Sequence, residues 1–279
     1  MKRPFLLGIG GAHSGTGKTT VASALLRHLT GKGGGPSAGS RPPSGEAPSA
    51  SPAHRPLPPL PGRWGAIKYT RTSLYTSVVD DPGILSQKDK DTALLLAAGA
   101  EEVLWVQSPP EELHEVLPQA VERLSFLDGI VIEGNSAIEF LKPDIVLFIV
   151  SVSGKTMKSS AHEILHHADI VVIPESRYER ASHRVQDEGT EAAPPPEACA
   201  TVVFAPSDGS SLRELIRCLA MTVQKKSIEQ LLKERAADNV ISCARARGIA
   251  EELGVPYREV GKAADALRIK IKNGELGCC

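Results

Sequence analysis

Shortly after its N terminus the chain carries the glycine-rich run Ala12-His13-Ser14-Gly15-Thr16-Gly17-Lys18-Thr19. An apolar segment at 4–11 precedes this run and suits a buried strand, and residues 20–29 have apolar side chains at helical spacing. A strand, a glycine-rich turn and a helix in this order aim successive backbone N–H groups at one anion. The run therefore predicts a phosphate-binding loop.

The residue types of this loop predict how it would hold a nucleotide. Gly15 and Gly17 allow the backbone to approach a phosphate because they have no Cβ. Lys18 is expected to reach the β- and γ-phosphates, and the Thr19 hydroxyl to bind Mg²⁺. We predict that seven residues bind the nucleotide: Ser14, Gly15, Thr16, Gly17, Lys18, Thr19 and Thr20.

The composition limits the class of protein. The chain has 279 residues, enough for one large α/β domain with a small appendage. Its net charge of −1 provides no global basic field, so we expect no nucleic-acid partner. Because the sequence shows no signal peptide and no run of roughly 18 apolar residues, we expect a cytoplasmic protein with no membrane partner. The cysteines are an odd set without framework spacing, which argues against a secreted disulfide scaffold: Cys199, Cys218, Cys243, Cys278 and Cys279.

Two stretches lack the apolar side chains that a folded segment needs. Residues 32–62 are almost all Gly, Pro, Ser and Ala with scattered charge, and we predict a disordered surface insertion there. Residues 182–198 are rich in Glu, Thr and Pro, and we predict a flexible loop. Both would lie within a nucleotide-binding domain that spans residues 1–223.

The remainder of residues 1–223 alternates between apolar strands and helices. Strands are predicted at 64–70, 102–106, 129–133, 144–150, 169–173 and 201–204, with helices at 90–98, 110–124, 159–167 and 211–223. Continuous apolar strands that alternate with helices predict an α/β fold, in which a mostly parallel sheet is covered by helices on both faces. Ligands of such sheets bind at the carboxyl ends of the strands.

Residues 224–279 have a different pattern, which predicts a small helical C-terminal module. Three short helices are indicated, at Lys225–Lys233, Ser242–Leu253 and Tyr257–Leu267, with Ser242 as a helix cap. These proportions are those of a helix-turn-helix. Acidic side chains offset the basic ones, which favours a packing module and leaves DNA or partner binding as the other interpretation.

Two carboxylates outside the loop are candidates for the metal side of the site. Glu133 ends a buried strand, where phosphate-loop proteins place the acid that holds the Mg²⁺ shell or orients water, and we predict a catalytic role for it together with Lys18. Asp91 opens a helix on the side that faces the nucleotide, where it could be a metal contact or a partner for the helix dipole. The predicted metal residues are Thr19, Asp91 and Glu133.

These motifs, with Lys68-Tyr69-Thr70 at a strand end, Lys90-Asp91-Thr92 and Val131-Ile132-Glu133-Gly134, occur in the order seen in a known family. The chain resembles the molybdopterin-guanine dinucleotide biosynthesis adaptor (MobB) family of phosphate-loop GTPases over about residues 1–175. The resemblance implies a Mg²⁺-dependent GTP-binding adaptor with weak GTPase activity. It also implies a molybdopterin guanylyltransferase or another molybdenum-cofactor protein as partner, and a homodimer.

Alternatives remain open at this point. After the strand at 169–173 the chain has Pro174-Glu175-Ser176 where related GTPases have a guanine-reading Asn-Lys motif, so the bound nucleotide is GTP or ATP. The opening run also resembles that of cobyrinate amidotransferases and dethiobiotin synthetases, which are ATP-dependent ligases. A third interpretation is a nucleotide-gated regulator whose output is the C-terminal module.

Overall fold

A parallel sheet forms the centre of the N-terminal part of the chain. The computed structural model describes residues 3–32, 60, 62–151, 157, 159–175 and 200–272. The sheet has eight strands in the order β3-β4-β2-β5-β1-β6-β7-β8, and only β3 is antiparallel, through its pairing with β4. The strands are β1 (Phe5–Gly11), β2 (Trp64–Arg71), β3 (Ser77–Val79), β4 (Val103–Ser108), β5 (Gly129–Glu133), β6 (Ile145–Ile149), β7 (Ile170–Pro174) and β8 (Ala200–Phe204).

Helices connect these strands and cover the sheet. In chain order they are α1 (Lys18–Leu29), α2 (Pro82–Leu85), α3 (Asp91–Ala97), α4 (Leu113–Arg123), α5 (Asn135–Leu141) and α6 (Ser159–His166), with a 3-10 turn at Pro110–Glu112. Every residue of β5 and of β6 is buried, as expected for strands that are covered on both faces. The predicted α/β fold with a mostly parallel sheet is therefore confirmed.

Two groups of side chains fill the space between the sheet and its helices. On one face, α4, α5 and α6 pack against β2, β4, β5 and β6 in a cluster that includes Leu117, Ile132, Ile138, Phe148 and Ile164. On the α1 side, the inward side chains of the strands are equally buried, and Trp64 and Ile9 have no exposed surface. The two packed faces fix the sheet rigidly beneath the loop that follows β1.

The chain divides into two compact units, and the division falls between Cys218 and Leu219. The division lies within one helix, α7 (Gly209–Arg235). The domain boundary that we predicted after residue 223 lies within the same helix. Our prediction of two separate helices, at Ser211–Val223 and Lys225–Lys233, was wrong. Residues 219–235 contain neither glycine nor proline, so nothing in the sequence stops the helix there.

The second unit, described to Lys272, contains more than helices. Helices α8 (Cys243–Leu253) and α9 (Tyr257–Ala266) lie between two short strands, β9 (Val240–Ser242) and β10 (Lys270–Lys272), which pair in parallel. The Ser242 hydroxyl accepts a hydrogen bond from the Arg245 amide and caps α8, as predicted. Apolar side chains of both helices and strands form its core, among them Leu232, Ile241, Ile249, Val260 and Ile269.

Some predictions concern residues that the structure does not describe. Residues 33–59 and 61 cover nearly all of the predicted insertion at 32–62, and the predicted loop at 182–198 lies within 176–199, so both stay predictions. The terminal pair Cys278-Cys279 is likewise outside the described residues. Within the described part of the chain, no helix combines the length and the hydropathy that a membrane span requires.

Candidate phosphate-loop site

The loop between β1 and α1 adopts the backbone conformation that its glycines predict. Gly15 and Gly17 have φ angles of +81° and +90°, in the left-handed region that L side chains rarely adopt. A Cβ at either position would meet no described atom within 4 Å, so glycine is needed here for its conformation and not for space. Gly17 directly precedes α1, and among the described residues no side chain caps that helix end. The loop therefore ends with the backbone amides of the first turn of α1.

A side-chain amide and a neighbouring strand fix the entry to the loop. The Gly11 amide donates to Asn135 Oδ1 at 3.1 Å, and Asn135 Nδ2 donates to the Gly11 carbonyl at 3.0 Å. The next amide, of Ala12, donates to the Ile149 carbonyl at the end of β6. A Cβ on Gly11 would lie 2.5 Å from Thr16 Oγ1, so glycine is required at this position as well. Asn135 was not among the residues predicted to form the site.

The side chains of the loop residues differ in exposure. Ser14, Gly15 and Thr20 are exposed, whereas Thr16 and Thr19 are buried. Lys18 is partly buried, and its ammonium group donates to the His13 carbonyl at 2.9 Å. The His13 ring contacts the Ser151 hydroxyl beyond the end of β6. The lysine predicted to bind phosphate thus lies against the loop itself.

Three side chains that the sequence placed on the metal side meet beneath the loop. The Thr19 hydroxyl, in the first turn of α1, lies 2.9 Å from both carboxylate oxygens of Glu133. Glu133 is almost completely buried, with 1% of its surface exposed. Lys68 Nζ donates to Glu133 Oε1 at 2.5 Å and to Asp91 Oδ2 at 2.6 Å. Thr19 and Lys68 both contact Glu133, and Lys68 also contacts Asp91. The four side chains therefore form one cluster.

Strand register explains why Lys68 reaches Glu133. In the parallel pairing of β2 with β5, Lys68 lies opposite Glu133, and in the pairing of β5 with β1, Glu133 lies opposite Ile9. Residues opposite each other in parallel strands project to the same face, which here is the α1 side of the sheet. From the sequence, Lys68 was predicted to lie at a strand end and had no predicted role. The alternation of side chains along β2 was the available indication that its ammonium group points toward the site.

The charges of this cluster stabilise one another. Burial is the largest influence on Lys68 and lowers its pKa, but attraction to Glu133 and hydrogen bonds to Asp91 and Glu133 together raise the pKa above its ordinary value. For Asp91, burial raises the pKa, while the Lys68 hydrogen bond and charge, a hydrogen bond with Thr19 and the Lys18 charge outweigh it and lower the pKa. Lys68 is therefore held as a cation and Asp91 as an anion.

The oxygen atoms of the cluster suit a magnesium ion. Mg²⁺ prefers hard oxygen ligands and is commonly held by one or two carboxylates, with water and substrate phosphates in the remaining positions. The Thr19 hydroxyl and the Asp91 and Glu133 carboxylates provide such atoms beside the loop. Among the described residues no group of three or more His, Cys, Asp or Glu side chains is placed to hold a metal ion by itself. This donor set therefore fits an ion that is completed by a phosphate ligand.

Gly134, which follows Glu133, gives a first testable prediction. Its φ is +137°, and a Cβ would lie 3.0 Å from Tyr69 Cβ and 3.3 Å from the Tyr69 carbonyl oxygen on β2. We expect Gly134→Ala to lower the free energy of unfolding by about 1–3 kcal/mol, measured by denaturant titration. Gly209→Ala is the matched control, because φ is ordinary there and the nearest atom is the tip of Arg213 at 3.6 Å. Equal stability of the two variants would contradict this account of the β5–α5 turn.

Comparisons with known proteins give only low similarities to solved structures. No match to the sequence was found among protein family models or among curated proteins. Among solved structures, the chain is similar to a LAO/AO transport system kinase, at 15% identity and a TM-score of 0.40, covering 96% of this chain and 82% of that one. It is also similar to chloroplast FtsY from Physcomitrella patens (12% identity, TM-score 0.36, covering 80% and 66%). A third is LpxK from Aquifex aeolicus in complex with ATP (13%, 0.35, covering 91% and 69%).

Values this low carry no argument about function, and the assignment of the fold rests on the chain itself. Its β1–loop–α1 unit has left-handed glycines before a helix, and the strand beside β1 ends in a buried acid that contacts the first turn of that helix. The remaining parallel strands extend the sheet on both sides of this pair. The chain therefore has an α/β fold with a mostly parallel sheet, and its β1–loop–α1 unit has the form of a phosphate loop.

Proposed function

We propose that the chain binds a nucleoside triphosphate together with Mg²⁺ at this loop and hydrolyses it slowly. The observation that carries the proposal is the buried contact between Thr19 and Glu133 directly beneath a loop with left-handed glycines. A buried carboxylate is costly unless it is paired and hydrogen-bonded. Here its partners are the hydroxyl and the ammonium group of the candidate site, and a metal-bound phosphate would lie beside them.

The proposal assigns a task to each group. The loop amides and Lys18 would hold the phosphates, with Lys18 exchanging the His13 carbonyl for phosphate oxygens. Thr19, Asp91 and Glu133 would lie on the metal side, and the bound ion would neutralise charge on the β- and γ-phosphates. None of the described hydrogen-bond partners of Glu133 is an arginine or a glutamine. We therefore expect slow turnover in the absence of a partner.

The physiological role that we propose is that of a GTP-binding adaptor in molybdopterin-guanine dinucleotide synthesis. Support comes from the order of the sequence motifs, which resembles that of the MobB family. The residues of these motifs also lie together, since Thr19 of the loop, Lys68, Asp91 and Glu133 form one cluster. The partner would be a molybdopterin guanylyltransferase or another molybdenum-cofactor protein, and the adaptor would form a homodimer. Binding to the purified guanylyltransferase in the presence of GTP tests this role.

One observation favours an ATP-dependent ligase of the dethiobiotin synthetase or cobyrinate synthase type as a second candidate. Pro174 ends β7 and Glu175 follows it, exposed, where an Asn-Lys pair would read guanine. At this position the sequence therefore offers no Asn-Lys pair to prefer guanine over adenine. The choice of nucleotide therefore separates the two candidates.

A competition between nucleotides tests the proposal. Non-hydrolysable analogues of GTP and ATP are titrated into the protein in a calorimeter, with Mg²⁺ and again with a chelator. The adaptor role predicts that the GTP analogue binds at least about tenfold more tightly than the ATP analogue, a free-energy difference of about 1.4 kcal/mol, and either role predicts weaker binding without Mg²⁺. Tighter binding of ATP would favour the ligase, and failure of both to bind would overturn the proposed function.

A further inference from the structure

The ammonium group of Lys68 lies between the two carboxylates that are the candidate metal ligands. It donates hydrogen bonds to Glu133 and Asp91 at the same time, and the Thr19 hydroxyl also contacts Glu133. The Lys68 side chain is only 15% exposed, and that of Glu133 only 2%. A single positive charge thus already bridges the two carboxylates that would face Mg²⁺.

We propose that Lys68 is a resident counter-ion of the metal site, which makes divalent-metal binding depend on the presence of nucleotide. This inference rests on the proposed function, because it concerns the same site. Lys68 would act as a positioning residue: in the absence of nucleotide it holds Glu133 and Asp91 in place and excludes a metal ion from them. When the nucleotide arrives, its phosphates would supply the negative charge and the ligands that let the metal enter.

Charge balance is the physical reason. A divalent ion that approached Glu133 alone would come within a few ångströms of the Lys68 ammonium, in surroundings that screen charge poorly. The metal would then have to displace a cation that has strong hydrogen bonds to two carboxylates. A nucleotide reverses this balance, because a triphosphate adds several negative charges next to Lys18 and Thr19.

Lys68 also has room to move without losing its charge partner. The Asp91 side chain is 50% exposed, whereas Glu133 is buried, so the flexible lysine can release Glu133 and keep its bond to Asp91 at the edge of the site. A second lysine lies nearby on the same sheet. On β4, Trp105 lies opposite Lys68, and the Lys90 ammonium lies over the Trp105 ring, 4.9 Å from its centre. Lys90 has no described hydrogen bond to either carboxylate, which makes it a suitable control.

The test is metal binding without nucleotide. Mn²⁺ is titrated into the full-length wild type and into Lys68→Met, Lys68→Arg and Lys90→Met, and free Mn²⁺ is measured by electron paramagnetic resonance. We expect Lys68→Met to bind Mn²⁺ about tenfold more tightly than wild type, or more, because the competing charge is gone. Lys68→Arg and Lys90→Met should remain like wild type. Unchanged or weaker Mn²⁺ binding by Lys68→Met would overturn the inference and leave Lys68 as a structural partner of Glu133.

Further variants keep the test decisive. If Lys68→Met does not fold because Glu133 loses its partner, Lys68→Gln repeats the test with a neutral side chain that can still donate to the carboxylate. Lys68→Met/Glu133→Gln should lose the gain in Mn²⁺ affinity, and a gain that persists would place the metal elsewhere and overturn the inference. The nucleotide competition is a separate measurement, so wild type that binds nucleotide while Lys68→Met gains no Mn²⁺ affinity leaves the proposed function standing.

Discussion

Replacing Lys18 with alanine is expected to weaken nucleotide binding on the order of 100-fold and to leave the fold intact. Lys18 is the lysine of the loop, and in the site that we propose its ammonium group forms charge-assisted bonds to the β- and γ-phosphates, each contributing about 1.5–3 kcal/mol. In the structure Lys18 donates a hydrogen bond to the carbonyl of His13, in the same loop. We expect the free energy of unfolding to change by about 1 kcal/mol, which is the usual contribution of one such bond.

Lys32→Ala is the matched control for this prediction. Lys32 is exposed and lies just beyond the opposite end of α1, roughly 18 Å from Lys18 along the helix axis. Calorimetric titration of both variants with the GTP and ATP analogues, in parallel with denaturant unfolding, separates binding from stability. Nucleotide affinity that survives in Lys18→Ala would remove the phosphate-loop assignment, and an equal loss in Lys32→Ala would show that the effect is general.

Glu133→Gln is expected to slow hydrolysis about 10- to 100-fold while reducing nucleotide affinity much less. The carboxylate lies on the metal side of the site beneath Thr19, whereas the phosphate contacts are assigned to Lys18 and the loop amides. The glutamine side chain retains an oxygen that can accept from Thr19 and Lys68, and Lys68 retains its bond to Asp91, so the variant should fold. Wild-type turnover itself should be slow, on the order of 10⁻⁴ to 10⁻² per second.

Single-turnover assays over hours, with GTP and with ATP, provide the measurement. Glu139→Gln is the control, since Glu139 is an exposed acid in the helix that follows Glu133. A Glu133→Gln variant with full activity would exclude Glu133 from the reaction. Fast turnover by the isolated wild type with ATP would instead favour the ligase interpretation over the adaptor.

Much of the architecture was predictable because the signals are local in the sequence. The segment between the first strand and the first helix contains Gly15 and Gly17, which have left-handed backbone conformations. Glycine is favoured at these two positions by the backbone conformation alone. Strand β5 was predicted with its observed bounds, since five buried residues end in an acid followed by a glycine. Continuous apolar strands have to be covered on both faces, and this requirement indicated the parallel sheet.

Elements whose stability depends on distant partners could not be predicted. Strand β3 has three partly buried residues and exists because it pairs with the edge of β4, and β9 exists because β10 lies beside it. Asn135 follows the strand-end glycine as an ordinary polar residue, and its role became evident only from its two hydrogen bonds to Gly11. The long helix α7 was predicted as two helices because an interruption was assumed where the sequence contains no helix-breaking residue.

The phosphate loop, the acid at the end of β5 and the parallel sheet that carries them could be inferred from the sequence alone, because backbone conformation and the burial of apolar strands are encoded locally. Which charges meet depends on the tertiary fold. Lys68 and Glu133 are 65 positions apart and Thr19 and Glu133 are 114 apart, and they come into contact because β2, β5 and β1 lie side by side in register. An ammonium group between two carboxylates is a property of that register, which no single segment of the chain specifies.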